Sequence, residues 1–142
     1  MIKVKALFYP TRNGDEIFVS ENFDKVTGEA YYRFVGGTVE FGERAIDTVV
    51  REVKEELNED VIISELFTII ENIFVCDGLP GHEIMYIFSG KFLNKEIYVL
   101  DECFMTEADG TQLRCAWIKL ADFKTGKYRL TPEGLLAQLS YI

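Results

Sequence analysis

GTVEFGERAIDTVVREVKEELNE, residues 37–59, carries an apolar helical stripe and a dense set of carboxylates in the same stretch. Residues 44–57 have helical spacing. On a wheel of about 100° per residue, Ala45, Ile46, Val49, Val50, Val53 and Leu57 form one stripe roughly 140° wide, which is expected to pack on a sheet. Asp47, Arg51 and Lys54 fall on the far side. Glu56 breaks the pattern, lying about 20° from Ala45 and inside the apolar stripe. Glu52 sits one turn earlier near the stripe's edge, and Glu55 lies further towards solvent. An ionised carboxylate at a core edge is costly unless it is paired or binds a metal. Two carboxylates at i and i+4 also repel modestly. A cation between Glu52 and Glu56 relieves both penalties, and Mg²⁺ takes oxygen ligands that it shares with phosphates. The plain alternative is an acidic, solvated helix face.

The chain on either side is β-rich. Residues 2–9 read as a strand, Asn13-Gly14 as a turn, and 16–20 as a strand pairing back. Residues 21–30 are polar and read as a loop. Residues 31–35 are aromatic and β-prone, Gly36-Gly37 interrupts them, and 38–41 resume extended structure. Residues 61–75 give one long strand or two short ones, 77–81 a loop, and 83–92 a strand. Residues 94–110 are acidic and stay unassigned, and 113–120 form a strand around Trp117. Thr131-Pro132-Glu133 begins a last helix, with Thr131 as N-cap, Pro132 at the first helical position and Gly134 as a mild defect. Strands before and after one central helix, with a second helix at the end, predict an α+β or α/β/α domain.

The 142 residues suit one domain, and 48% hydrophobic content with 11 Phe and 7 Tyr supplies its core. A net charge of −9 disfavours binding to a nucleic acid polymer. It does not exclude phosphate substrates, because a carboxylate cluster can recruit Mg²⁺ and present positive charge to them. The three cysteines are odd in number and have no C-x-x-C spacing, so neither a disulfide framework nor a zinc knuckle is expected. Reduced, inert thiols and a cytoplasmic location are expected. Lys3 and Lys5 interrupt the N-terminal apolar stretch, so no signal peptide is expected, and no run is long enough for a membrane span.

From Gly37 the chain resembles the Nudix box, G-x5-E-x7-R-E-U-x-E-E-x-G-U with U a bulky aliphatic residue. Gly37, Glu43, Arg51, Glu52, Val53, Glu55 and Glu56 match at the right spacing. Asn58 stands for the final glycine and Glu59 for the final aliphatic residue. Asn imitates Gly in a left-handed helix terminus, and Val61 or Ile62 is available as the apolar anchor. The similarity to MutT-like Nudix hydrolases implies a single domain over 1–142, an α/β/α sandwich with a mixed central sheet. It implies Glu52, Glu55 and Glu56 as ligands of Mg²⁺ or Mn²⁺, with Glu55 alternatively an orienter. A backbone carbonyl of Gly36 or Gly37 would complete the site. It further implies an ion pair between Arg51 and Glu43 that holds loop against helix; contact of Arg51 with substrate phosphate is the alternative. The implied reaction is hydrolysis of a diphosphate linkage in a nucleoside diphosphate derivative, and the family allows a homodimer. A silent nucleotide-binding module is the competing function.

The catalytic carboxylates expected are Glu52 and Glu55 from the box and one from downstream. Asp101, Glu102, Glu107 and Asp109 are the downstream choices, with Glu107 favoured. Arg33 and His82 are candidates for substrate binding, each with a structural alternative: a cross-strand partner for Arg33 and a hydrogen bond at a strand start for His82. Tyr31, Tyr32 and Phe34 either stack on a base or pack within the fold.

Overall fold

The structure, a computed structural model, describes residues 1–139. Its strands are β1 (Lys3–Tyr9), β2 (Thr11–Arg12), β3 (Glu16–Phe23), β4 (Ala30–Arg33), β5 (Val35–Thr38), β6 (Val61–Cys76), β7 (Leu79–Phe92), β8 (Glu102–Thr106) and β9 (Gln112–Lys119). The helices are α1 (Ala45–Leu57), α2 (Leu120–Lys124) and α3 (Leu135–Gln138), with a 3-10 turn over Lys95–Val99. One sheet has the order β5-β1-β7-β6 and is mixed, since β1 and β7 run parallel. The other, β2-β3-β9-β8 with β4 on β3, is antiparallel.

Alternation along the strands separates two apolar layers. Ala6, Phe8, Phe18, Phe88 and Trp117 face one way and pack with Val49 and Val53 of α1. Leu7, Tyr9, Ile17, Val19, Met85 and Ile87 face the other and pack with Leu120 and Phe123 of α2 and Leu135 of α3. The sheets are thus a middle layer with helices on both sides, an α+β domain of α/β/α type.

Several local expectations change. Residues 16–20 do not pair with β1, whose two edges are taken by β5 and β7; β3 instead continues to Phe23 and joins β4 and β9. The expected loop at 21–30 shrinks accordingly. Gly36 and Gly37 do not interrupt the chain but lie within β5. The loop at 77–81 contracts to an Asp77-Gly78 turn with φ of 57° and 75°, the left-handed pair that suits strand twist in a tight hairpin. Residues 94–110 resolve into the 3-10 turn and β8. Thr131 does not cap the last helix: its hydroxyl donates to the Tyr32 carbonyl at 3.3 Å, and Gly134 is the N-cap of α3. None of the helices of the described residues is long and apolar enough to cross a membrane.

The buried face of α1 is also rotated from the apolar stripe. Thr48, Val49 and Val53 are buried, whereas Ile46 and Val50 are 43% and 41% exposed. The line of contact with the sheet has moved towards Glu52 and Glu56. Thr48 tolerates burial because its hydroxyl donates to Glu43 at 2.6 Å. Val53→Ala is therefore expected to lower stability by on the order of 2 kcal/mol, and Val50→Ala by about 0.5 kcal/mol or less. Urea unfolding measures both, and equal losses would return the packed face to the apolar stripe.

Candidate active site

The loop at 39–44 is tied down before α1 begins. Val39 N–H donates to the Val4 carbonyl at 2.8 Å and Glu43 N–H to the Glu40 carbonyl at 2.9 Å. The Glu43 carboxylate then receives Arg51 through Nε at 2.7 Å and Nη2 at 2.9 Å, a two-pronged contact. It also accepts from Thr48 Oγ1 and from Glu40 N–H. Arg51, then Thr48, holds the Glu43 carboxyl down to about 2. The rest of the Arg51 fork reaches Glu52 Oε1 at 2.9 Å, Glu55 Oε2 at 3.2 Å and the Thr38 carbonyl at 3.3 Å. One guanidinium thus joins loop, strand and helix.

Two glycines let the helix approach the sheet. A Cβ on Gly37 would stand 2.3 Å from Glu52 Cδ, so the missing side chain is the space that the Glu52 carboxylate occupies. A Cβ on Gly36 would stand 2.0 Å from the Ala6 carbonyl oxygen, so that glycine is needed for β5 to pair with β1. One turn beyond Glu52, Glu56 Oε1 is buried and has no hydrogen-bond partner among the described residues. Burial first, and the neighbouring Glu52 carboxylate second, push the Glu56 carboxyl up to about 8. Glu55, 57% exposed, is held among the described residues by Arg51 alone. Asn58 ends the helix in the left-handed region at φ 55°, with its N–H bound to the Lys54 carbonyl at 3.0 Å. Val61 packs against the apolar layer under α1, whereas Ile62 is exposed. Glu59 instead accepts from Asn94 at 3.2 Å.

Glu107 lies at the β8–β9 turn, its N–H bound to the Thr111 carbonyl at 2.8 Å. Its charge reaches Glu56 and contributes to the rise there. The other downstream acids are otherwise engaged: Asp101 with Arg12, Glu102 with Arg114, and Asp109 with the Thr111 N–H.

Arg33, at the end of β4, acts on Glu56 in the opposite sense, favouring its ionised form. It also lines a cavity of about 220 Å³. Lys5 stands beside it, donating to Thr38 Oγ1 at 2.7 Å and lying 3.8 Å from Glu83. Burial and the charge of Arg33 hold Lys5 below the usual lysine range. Arg33 on the cavity wall thus influences Glu56, and Lys5, beside the cavity-lining Glu83, feels the charge of Glu52. Tyr31, Phe74 and Met85 give the cavity apolar walls. Tyr32 and Phe34 are buried in the core and are not available for stacking.

His82 lies within β7 rather than at its start, and its Nε2 is 3.2 Å from Glu71 Oε2. Alternation turns it away from Glu83, and it does not line the cavity. Lys5, Glu83, Asn72 and Phe74 carried no local signal in the sequence. They meet only because β1 and β6 both pair with β7.

The donor set suits a hard divalent cation: two carboxylates one turn apart, one with a buried unpartnered oxygen. Among the described residues, Asp24, Cys76 and Asp77 converge more closely, within 4.8 Å. Three of their four carboxylate oxygens are already used: Asp24 accepts from the Val26, Thr27 and Asp77 N–H groups, and Asp77 Oδ1 from Lys25 N–H. That cluster is a clasp between two turns. Glu52 and Glu55 instead share one nitrogen of Arg51, Nη1, at 2.9 and 3.2 Å.

Two outcomes follow from this geometry. Gly36→Ala is expected to melt well below the wild type, while Gly37→Ala keeps its melting temperature but binds Mn²⁺ more weakly; matching behaviour of the two would refute the separate roles given to them. The raised Glu56 pKa favours the neutral form in the fold, so its stabilisation is complete below about pH 4.5 and is lost as pH rises through about 8. In metal-free protein, Glu56→Gln should gain melting temperature relative to wild type between pH 5 and pH 9, read by thermal denaturation. A difference independent of pH would contradict the raised pKa.

The profile described as the NUDIX domain matches residues 1–139. Among solved structures, the MutT NUDIX hydrolase from Burkholderia pseudomallei aligns with a TM-score of 0.71 at 18% identity, covering 100% of this chain and 99% of that one. A NUDIX hydrolase from Nitrosomonas europaea aligns with a TM-score of 0.67 at 20% identity, covering 98% and 86%. The MutT protein from Methanosarcina mazei Go1 gives 0.65 at 14% identity, covering 97% and 90%. No curated protein sequence matches. At these identities the solved structures speak for the fold, and the profile spanning the described residues places the chain in the Nudix family.

Proposed function

We propose that the protein is a pyrophosphohydrolase that uses Mg²⁺ or Mn²⁺ to cleave the phosphoanhydride of a nucleoside diphosphate derivative. The observation that carries this reading is the buried, unpartnered Glu56 oxygen beside Glu52, on a helix fixed by the Arg51–Glu43 pair. Glu52 and Glu56 would hold the cation, with Glu55 released from Arg51 as third ligand and the Gly36 carbonyl on the strand side. Such a cation, when bound, withdraws charge from the phosphoryl oxygens and lowers the pKa of water.

The chain's own residues supply the rest. Glu107, close enough to influence Glu56, accepts the proton of the attacking water. The water oxygen bonds to phosphorus, the bridging P–O bond breaks, and the departing phosphate carries the bond's electrons. Arg33 and Lys5 offer positive charge to the diphosphate between the carboxylates and the cavity. The cavity, with Tyr31 and Phe74 in its walls, receives part of the group attached to the diphosphate. Glu52 and Glu55 contribute through the metal, Arg51 and Glu43 by fixing the platform. His82 is occupied by Glu71 and takes the structural role.

Nucleotide sugars, dinucleoside polyphosphates, ADP-ribose and nucleoside triphosphates, each with Mg²⁺ or Mn²⁺, form the test panel. Turnover of at least one is expected, and a folded protein that cleaves none would refute the proposal. With the active substrate, Glu107→Gln should lower kcat by about 10²–10⁴-fold while Mn²⁺ affinity stays unchanged. Glu56→Gln should lower both. Full activity of Glu107→Gln would remove that residue from the mechanism.

A further inference from the structure

Cys103 on β8 and Cys115 on β9 are directly opposed across the hairpin. The bonds from Glu107 N–H to the Thr111 carbonyl and from Trp117 N–H to the Asp101 carbonyl mark hydrogen-bonded pairs of this antiparallel ladder. Counting by twos between them, Cys103 and Cys115 fall on another such pair. Residues so placed have Cα atoms about 5.5 Å apart, inside the roughly 4.4–6.8 Å that a disulfide spans. Their environments differ. Cys115 is 0% exposed and sits in the layer beneath α1. Cys103 is half-buried and lines a surface recess of about 130 Å³ near Leu57 and Asn94. The thiols also influence one another: Cys103 and burial push Cys115 up, while Cys115 holds Cys103 down. A reachable sulfur whose pKa is lowered therefore stands against a covered one whose pKa is raised.

We propose that Cys103 and Cys115 form a dithiol modification site that closes to an intrachain disulfide by exchange with a low-molecular-weight disulfide such as oxidised glutathione. The Cys103 thiolate attacks one sulfur of the reagent, whose S–S bond breaks and releases one thiolate, which takes a proton. Cys115 then gives its proton to water, and its sulfur displaces the second thiolate from Cys103. Two protein thiols are oxidised and one reagent disulfide is reduced to two thiols. Facing Cβ atoms of a hydrogen-bonded pair stand wider than the about 3.8 Å of a relaxed disulfide. Closure draws the strands together, and the strained bond is easily reduced again. Cys76 lies in the other sheet, with its thiol directed at the Tyr31 hydroxyl, and takes no part.

The folded protein is incubated with oxidised glutathione, quenched by alkylation, and analysed by intact mass and non-reducing peptide mapping. The expected result is loss of two of the three thiols, a mass lower by two hydrogens, a linked Cys103–Cys115 peptide, and reversal by dithiothreitol. Cys115→Ala is expected to stop at glutathione carried on Cys103, and Cys103→Ser to keep Cys115 free. In the wild type, glutathione remaining on Cys103, a bridge that includes Cys76, or no thiol consumed would each overturn the proposal, whether or not the variants fold.

Discussion

The contact between Arg51 and Glu43 is the constraint on which the candidate site depends. Arginine's planar fork meets the Glu43 carboxylate with two parallel bonds and still has donors left for Glu52, Glu55 and the Thr38 carbonyl. A lysine, with one compact charge, could not span these partners. Glu43 in turn accepts the Thr48 hydroxyl in the first turn of α1, which lets a polar residue occupy the helix's buried face. Loop, strand and helix are therefore one unit, and the carboxylates of α1 are presented from a fixed backbone.

That unit concentrates negative charge. Glu43, Glu52, Glu55 and Glu56 lie within four turns of chain, and Glu107 approaches from the β8–β9 turn. Arg51 offsets part of it, and Arg33 and Lys5 border it on the cavity side. Arg33 offsets only part of the cost at Glu56: among the described residues its Oε1 is buried and unpartnered, and it favours the neutral form. A divalent cation would reverse that preference, since a metal ligand must be deprotonated. The glycines serve the same end from the sheet side, Gly36 by letting β5 lie against β1 and Gly37 by leaving the volume that Glu52 fills.

Much of this was legible in residues 37–59, because a helix with period-matched apolar positions and fixed charge spacing records its own geometry. Asn58 ends that helix as a glycine substitute at φ 55°, which its side chain's tolerance of the left-handed region makes readable. The rotation of α1 was not readable. The wheel weighs Ile46 and Val50 as apolar, but the fold buries Thr48 because Glu43 satisfies its hydroxyl. Strand partners were hidden for a similar reason: β3 leaves β1 because β5 and β7 already occupy both edges, and no local pattern encodes that competition. Arg33, Lys5 and Glu83 come from β4, β1 and β7, so the cavity rim exists only once those strands are assembled.

On the proposed function, the Glu52–Glu56 edge of α1 is where a divalent cation meets a diphosphate. Crystals grown with Mn²⁺ and a non-hydrolysable diphosphate analogue would locate the ion by its anomalous scattering. The expected result is a peak in contact with the Glu52 and Glu56 carboxylates and with the analogue's phosphoryl oxygens. A peak at Asp24 and Asp77 with none beside α1 would contradict it.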